Sequence, residues 1–173
     1  MQYNLNASIE ILSQTPGTLK SMLGNLNPDW IKSNEGPNSW SPYDVVGHLI
    51  HGEKTDWIDR IEICLGMRNT DTFTPFDRFA QERDSVGKSI SDLLNEFQIL
   101  RSQNLLKLQS YKITPDQLQL KGYHPSLGGV TLGNLLSTWT VHDLGHIAQI
   151  SRVLATQYNA EVGPWKEYLR ILQ

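Results

Sequence analysis

A stripe of apolar residues near the C-terminal end of the chain constrains its fold more than any other feature. After Thr131, apolar side chains recur at intervals suited to a helix: Leu132, Leu135, Leu136, Trp139, Ile147, Ile150, Val153 and Leu154. This spacing places them on one face of an α-helix, which has about 3.6 residues per turn. Such a face has to be covered by other elements, so the stripe predicts a long helix that begins at Thr131 and packs against several others.

Two further helices are predicted in the first half of the chain. One covers about residues 7–26, and Pro16 should kink it or restart it as a second segment because proline lacks a backbone N–H. The other begins at Ser41, a good N-cap, and has Asp44 where a carboxylate meets the helix dipole. It should continue without a break until Gly66, which is a typical helix terminator.

A third helix begins near Ser89, and turn-rich segments join the helices. Residues 28–39 and 67–87 are predicted to be connections, the second with one helical turn, and residues 122–129 are predicted to be a loop. A short helix should follow Gly163. No alternation of apolar and polar residues predicts a strand. The predicted fold class is therefore all-α, a four-helix bundle with long connections and a short C-terminal helix.

Length and composition exclude several classes of protein. The 173 residues fit a single domain over residues 1–173. The 15 Lys and Arg residues against 18 Asp and Glu residues give a net charge of -3 without basic runs, so we expect no nucleic-acid partner and no membrane anchor. No segment reaches the roughly 20 apolar residues of a membrane span. With the single cysteine Cys64 and no signal-peptide pattern, we expect a cytoplasmic protein.

Two histidines on the last long helix are suited to metal binding. His142 and His146 are four residues apart, so their side chains lie one above the other on the same helix face. They are also in phase with Trp139 and Ile150, so both imidazoles should point inwards. Buried histidines without partners would be destabilising, and a shared metal ion would satisfy both. The structural alternative is two partly buried histidines that are hydrogen-bonded to their neighbours.

A third ligand has to come from another element, and the candidates are His48, His51 and His124. His51 lies well away from the apolar face of the second helix, so we expect it to be solvated. His48 lies at the border of that face, and periodicity alone does not decide whether it is a ligand. Glu53 and Asp56 are near enough to be considered as a general base, but carboxylates on an amphipathic helix are usually solvated. No catalytic residue is therefore assigned.

Several short motifs occur in a fixed order along the chain. They are Trp40-Ser41-Pro42, Val45-Val46-Gly47-His48-Leu49, Gly133, Leu135-Leu136, Trp139 and His142-Asp143-Leu144-Gly145-His146-Ile147. This set resembles the DinB-like (DinB/YfiT) superfamily of metalloenzymes, and the resemblance extends to Val162-Gly163-Pro164-Trp165. It implies a four-helix bundle in which a histidine early in the second helix and a His-x-x-x-His pair on the fourth form one metal site. In this chain those residues are His48, His142 and His146.

Three neutral imidazoles leave a coordination position for water or substrate, which is typical of catalytic sites. Nitrogen ligands suit zinc, nickel, iron or copper, and we expect one divalent ion, zinc or nickel. The resemblance implies reactions of a small-molecule substrate, and we expect S-transfer that depends on a low-molecular-weight thiol. The alternatives are a metal-dependent hydrolase and a non-catalytic metal-binding or ligand-binding stress-response protein. Exposed apolar helix surface could also pair two chains in a homodimer.

The remaining large side chains and the thiol are predicted to be structural. Cys64 shares a helix face with Ile61, so it should be buried as a small apolar residue. The tryptophans near helix ends should be packing anchors: Trp30, Trp40 and Trp165. Some aromatic residues could instead wall a pocket: Trp40, Phe73 and Phe76.

Overall fold

The computed structural model describes residues 3–173, and this part of the chain is mainly helical. Its α-helices are α1 (Leu5–Leu23), α2 (Pro28–Lys32), α3 (Pro42–Thr55), α4 (Trp57–Cys64), α5 (Gln81–Asp84), α6 (Ile90–Ser110) and α7 (Leu132–Thr156). Strands β1 (Lys121–His124) and β2 (Gly128–Thr131) form an antiparallel hairpin. Short 3-10 helices cover Asp116–Gln119, Gly163–Tyr168 and Arg170–Leu172.

Four helical rods form the bundle: α1, the pair α3 and α4, α6, and α7. Helix α6 packs against α1 and α3, and α7 packs against α1, α3 and α4. The buried side chains form two apolar clusters, one around Trp57 and Trp139 and the other around Val46, Phe97 and Ile150. The predicted all-α four-helix bundle is confirmed.

The starts of three long helices are fixed by reciprocal capping boxes. In each one the N-cap hydroxyl accepts a hydrogen bond from a backbone N–H in the first turn, and the side chain three residues on accepts one from the N-cap N–H. The pairs are Ser41 with Asp44, Ser89 with Asp92, and Thr131 with Asn134. All three helix starts agree with the prediction from sequence.

The first helix is continuous through Pro16, so the chain does not restart there as a second segment. Helix α1 contains Pro16 as a buried residue. A proline leaves the carbonyl four residues earlier without its helical hydrogen bond, and in this helix that carbonyl belongs to Leu12. Arg101 of α6 donates a 2.9 Å hydrogen bond from Nη1 to the Leu12 oxygen. A neighbouring helix thus replaces the lost hydrogen bond, so the helix does not have to break.

The second rod is broken at Asp56, whereas the sequence predicted one uninterrupted helix. Asp56 has φ -118° and ψ -69°, outside the regular helical range. Hydrogen bonds from the Asp56 N–H to the Gly52 oxygen and from the Arg60 N–H to the Asp56 oxygen still cross the break. The Trp57 ring lies against Gly52, where an added Cβ would be 3.2 Å from Trp57 Nε1. The break therefore accompanies close packing of Trp57 on a residue that has no side chain.

The hairpin β1–β2 replaces the loop predicted for residues 122–129. The strands pair Lys121 with Thr131 and Gly122 with Val130. Their short length and several glycines left no alternating pattern that could be recognised in the sequence. The segment before α5 also docks on the hairpin, because the Phe73 N–H donates to the carbonyl of Tyr123.

The other connections agree with the prediction only in part. The connection of residues 67–87 contains one helical turn, α5, as predicted, and that of residues 28–39 contains the unpredicted helix α2. The segment after Gly163 forms 3-10 turns instead of an α-helix. Trp165 is 72% exposed and is therefore not a packing anchor. No helix in residues 3–173 combines the length and the apolar character that crossing a membrane requires.

A buried arginine joins all four rods. Arg101 of α6 is 1% exposed and donates to the Leu12 carbonyl of α1, to Glu53 of α3 and to Asp143 of α7. Burial disfavours the charged guanidinium, but the ion pairs with both carboxylates raise the pKa of Arg101 above its usual value. Asn104 donates to the second Glu53 oxygen at 2.9 Å. The prediction that Glu53 is solvated is therefore wrong, because its carboxylate is fully paired inside the bundle.

Replacing Arg101 should be strongly destabilising. The variant Arg101→Met would leave the carboxylates of Glu53 and Asp143 buried without their cation, which costs about 3–5 kcal/mol in the free energy of unfolding. The matched control is Arg152→Met, because Arg152 pairs with Glu35 and its side chain is 46% exposed. That change should cost at most about 1 kcal/mol. Chemical denaturation measures both losses, and similar values would contradict the role assigned to Arg101.

The hairpin should tolerate an added methyl group at one glycine but not at another. In Gly122→Ala the new Cβ would lie 2.6 Å from Phe73 Cζ and 3.1 Å from Cys64 Sγ. Overpacking of this kind costs about 1–3 kcal/mol. In Gly129→Ala the nearest atom would be Tyr123 Cε1 at 3.7 Å, an ordinary contact, so stability should change little. Equal unfolding midpoints in urea for the two variants would show that the hairpin is not packed in this way.

Candidate metal centre

Three histidines from two helices converge at the inner surface of the bundle. His48 comes from α3, and His142 and His146 come from successive turns of α7. The Nε2 atom of His142 lies 3.1 Å from Nε2 of His48 and 3.1 Å from Nε2 of His146. One nitrogen of each residue lies within 4.8 Å of those of the other two. The structure therefore brings together the three residues predicted from sequence, and it leaves His51 and His124 outside the group.

The donor set fits a divalent metal ion. A tetrahedral zinc ion with Zn–N bonds of about 2.0–2.1 Å separates two ligand nitrogens by roughly 3.3 Å, close to the 3.1 Å between the Nε2 atoms. Without an ion, Nε2 of His142 would have to form hydrogen bonds with two other Nε2 atoms at once. A neutral imidazole nitrogen carries either one proton or one lone pair, so it cannot satisfy both. Three convergent lone pairs around one cation remove this conflict.

Burial keeps these histidines in the form that can bind a metal. Burial, with a smaller contribution from the neighbouring His146, lowers the pKa of His48 to about 3 and that of His142 to about 4. Burial also lowers the pKa of His146, although its hydrogen bond with Gln149 acts in the opposite direction. At neutral pH all three rings are therefore uncharged and can offer a lone pair.

Gln149 orients one of the three rings. When Nε2 of His146 faces the centre, its proton is on Nδ1, which lies 2.8 Å from Gln149 Oε1 and donates to it. The Nδ1 atoms of His48 and His142 are buried, and no residue of the described part of the chain is hydrogen-bonded to them. The sequence analysis missed Gln149, although its position three residues after His146 places both on one helix face.

Aromatic side chains enclose the histidine group. The Trp40 ring centroid lies 4.7 Å from that of His48, and Phe76 meets the same ring edge-on at 5.3 Å. The Trp57 ring stands across His142 at 5.3 Å. The expectation that Phe73 and Phe76 wall a pocket is confirmed, whereas Trp40 packs on His48 and is not among the residues that line the cavity. His51 is half-buried against Phe76, so the prediction that it is solvated is wrong.

A cavity of about 260 Å³ extends from the histidines towards the hairpin. On one side it is lined by residues spaced four apart on α3 and α4: His48, Gly52, Asp56 and Arg60. On the other side it is lined by residues spaced four apart on α7: His142, Thr138 and Asn134. This spacing places each set along one helix face. The cavity is therefore a channel between two helices, and His48 and His142 lie at one end of it.

Asp56 is inside this channel and not in solvent as predicted. It is 8% exposed, and its Oδ1 lies 2.6 Å from Nη2 of Arg60. Burial raises the pKa of Asp56 to about 6, although the charge of Arg60 acts to lower it. The sequence did not predict this burial of Asp56, because carboxylates on an amphipathic helix are usually exposed and the break at Asp56 was not foreseen. Cys64 is buried as predicted, and burial raises the pKa of its thiol to about 11.

Comparison with known proteins agrees with the motifs. A family model described as the DinB superfamily matches residues 11–150. The chain belongs to the DinB superfamily. Among solved structures, YfiT from Bacillus subtilis is similar to this DinB-superfamily chain, with a TM-score of 0.75 and 23% sequence identity over 88% of this chain and 87% of that one. The YfiT structure is described as having an unusual four-helix bundle topology. A search of curated proteins finds no match.

Proposed function

We propose that this DinB-superfamily protein is a metal-dependent hydrolase of a small molecule, with one divalent ion held by His48, His142 and His146. The observation that carries the proposal is the convergence of three Nε2 atoms at the end of a ligand-sized cavity. In the described part of the chain, the potential metal-binding group contains these three histidines and no fourth side chain. Three protein ligands with an open position are typical of catalytic zinc sites, whereas structural sites are closed by four.

We propose hydrolysis, whereas the expectation from sequence was thiol-dependent S-transfer, with hydrolysis as an alternative. YfiT is described as a probable metal-dependent hydrolase, which favours the reaction that the sequence left as an alternative. Nothing in the cavity or in the comparisons favours a thiol as co-substrate. A bound divalent ion would polarise the scissile group and lower the pKa of a coordinated water. Zinc and nickel both suit three imidazole ligands, and zinc is our choice because such open sites are typical of zinc hydrolases.

The protein's own side chains have three tasks in this reaction. His48, His142 and His146 fix the position of the ion, and Gln149 holds the His146 ring in the required tautomer. Trp40 and Phe76 cover the histidines and exclude bulk water from them, which strengthens electrostatic interactions in the site. The channel beyond His142 receives the rest of the substrate.

Metal content and turnover test the proposal together. The purified protein should bind one zinc ion per chain and, after removal of the metal with a chelator, should regain hydrolysis of activated aryl esters or amides only when metal is returned. The variant His142→Ala should lose at least about 100-fold in metal affinity, since even removal of an outer-shell partner costs 10-fold to 100-fold. The control His51→Ala removes a histidine from the same region that is outside the group and should keep the metal.

Two results would contradict the proposal. One is hydrolysis that is equal in metal-free and metal-loaded protein. The other is turnover that appears only when a low-molecular-weight thiol is added, because it would identify the protein as a thiol-dependent transferase. Elemental analysis of both variants, made alongside the activity assays, shows whether the metal is lost, and their circular dichroism spectra show whether the helical fold is lost.

A further inference from the structure

The channel has a second polar end that the proposed reaction does not use. Asp56 and Arg60 lie about two and three helical turns beyond His48 on the same helix face, and both line the channel. The walls between the two ends are mainly apolar: Trp57, Phe73, Phe76, Leu127, Val130 and Leu135. A ligand bound here would therefore have polar groups at its two ends and an apolar middle.

The ion pair at this end is incompletely satisfied by the protein. The Asp56 and Arg60 side chains are only 10% and 11% exposed. A buried ion pair is stable only when additional hydrogen bonds satisfy its remaining donors and acceptors. Arg60 Nε is buried and has no hydrogen-bond partner among the described residues. Asp56 has one cation beside it, and burial leaves its pKa raised to about 6.

Comparison with Arg101 shows what a purely structural pair looks like in this fold. Arg101 donates five hydrogen bonds, to two carboxylates and one carbonyl, and it does not line the channel. Arg60 has one carboxylate partner and does line the channel. The buried pair with fewer partners is thus the one that lines a ligand-sized space.

We propose that Asp56 and Arg60 bind the zwitterionic head of an α-amino acid, with the ammonium donating to Asp56 and the carboxylate accepting from Arg60. The pair carries no net charge, so it offers no excess potential to a lone anion or a lone cation. A zwitterion presents both charges at once, one for each side chain of the pair. Arginine has five N–H donors, so Arg60 can keep Asp56 and still bind a carboxylate.

The inference rests on the proposed hydrolase function, because it names the class of that enzyme's substrate. The eight residues from His48 to Asp56 span about 12 Å of helix at 1.5 Å per residue. The substrate is therefore an amino acid whose apolar side chain extends roughly 10 Å towards the histidines and ends in the hydrolysable bond. Aromatic walls favour an apolar chain in this position.

Three probes that share a phenylethyl group separate the two charges. Phenylalanine is the zwitterion, phenethylamine lacks the carboxylate, and 3-phenylpropanoate lacks the ammonium. Their dissociation constants would be measured by calorimetry on the full-length protein, both metal-loaded and metal-free. In both forms phenylalanine should bind at least about 10-fold more tightly than either single-charge probe, since charge-assisted hydrogen bonds are the strongest of those available.

The double variant Asp56→Asn/Arg60→Gln removes both charges and keeps hydrogen-bonding side chains of similar size. It avoids the unpaired buried charge that either single change would leave. This variant should bind the three probes with equal affinity. The control Arg68→Gln removes an arginine that pairs with Asp59 and Glu62 outside the channel, and it should keep the wild-type preference.

The outcomes distinguish this inference from the proposed function. It is overturned if a single-charge probe binds as tightly as phenylalanine, if none of the probes binds, or if the preference persists in the double variant. A preference for phenylalanine without any metal-dependent hydrolysis would support the head-group site and reject the hydrolase. Metal-dependent hydrolysis without a preference for phenylalanine would support the hydrolase and reject the head-group site.

Discussion

The buried guanidinium of Arg101 is the interaction on which the rest of the structure depends. It joins α1, α3, α6 and α7 through the Leu12 carbonyl, Glu53 and Asp143. Asp143 is the neighbour of His142, and Glu53 is on the helix that carries His48. The arginine therefore fixes the two helices whose spacing sets the distance between the histidine nitrogens. It also donates to the Leu12 carbonyl, which Pro16 leaves without a helical hydrogen bond, so one side chain pairs with that carbonyl and with two buried carboxylates.

The bundle uses its two buried arginines in different ways. Arg101 donates to two carboxylates and one carbonyl inside the core. Arg60 has one carboxylate partner and borders an open channel. Between the histidines and Arg60 the walls are aromatic and aliphatic, so an extended substrate could be held at both ends. In the proposed hydrolase, the three histidines hold the metal ion at one end of the channel, and the channel selects the molecules that reach it.

The sequence predicted features that depend on local spacing and did not predict those that depend on contacts across the fold. The His142 and His146 pair and the helix starts at Ser41, Ser89 and Thr131 follow from helical periodicity and capping. His48 required a family resemblance, because its helix face is only partly apolar. Glu53 and Asp56 were expected in solvent because partners distant in sequence decide their burial. The hairpin was missed because its strands are short and rich in glycine, and because the close packing of Phe73 on Gly122 is not visible in any local pattern.

The central claim is that the three Nε2 atoms form one metal site. Anomalous diffraction at the zinc edge, on crystals grown with stoichiometric zinc, tests it most directly. We expect one strong peak about 2.0–2.1 Å from Nε2 of each of His48, His142 and His146, with a fourth position occupied by a solvent or ligand atom. A peak at another place, coordination through Nδ1, or a fourth protein side chain completing the site would contradict it.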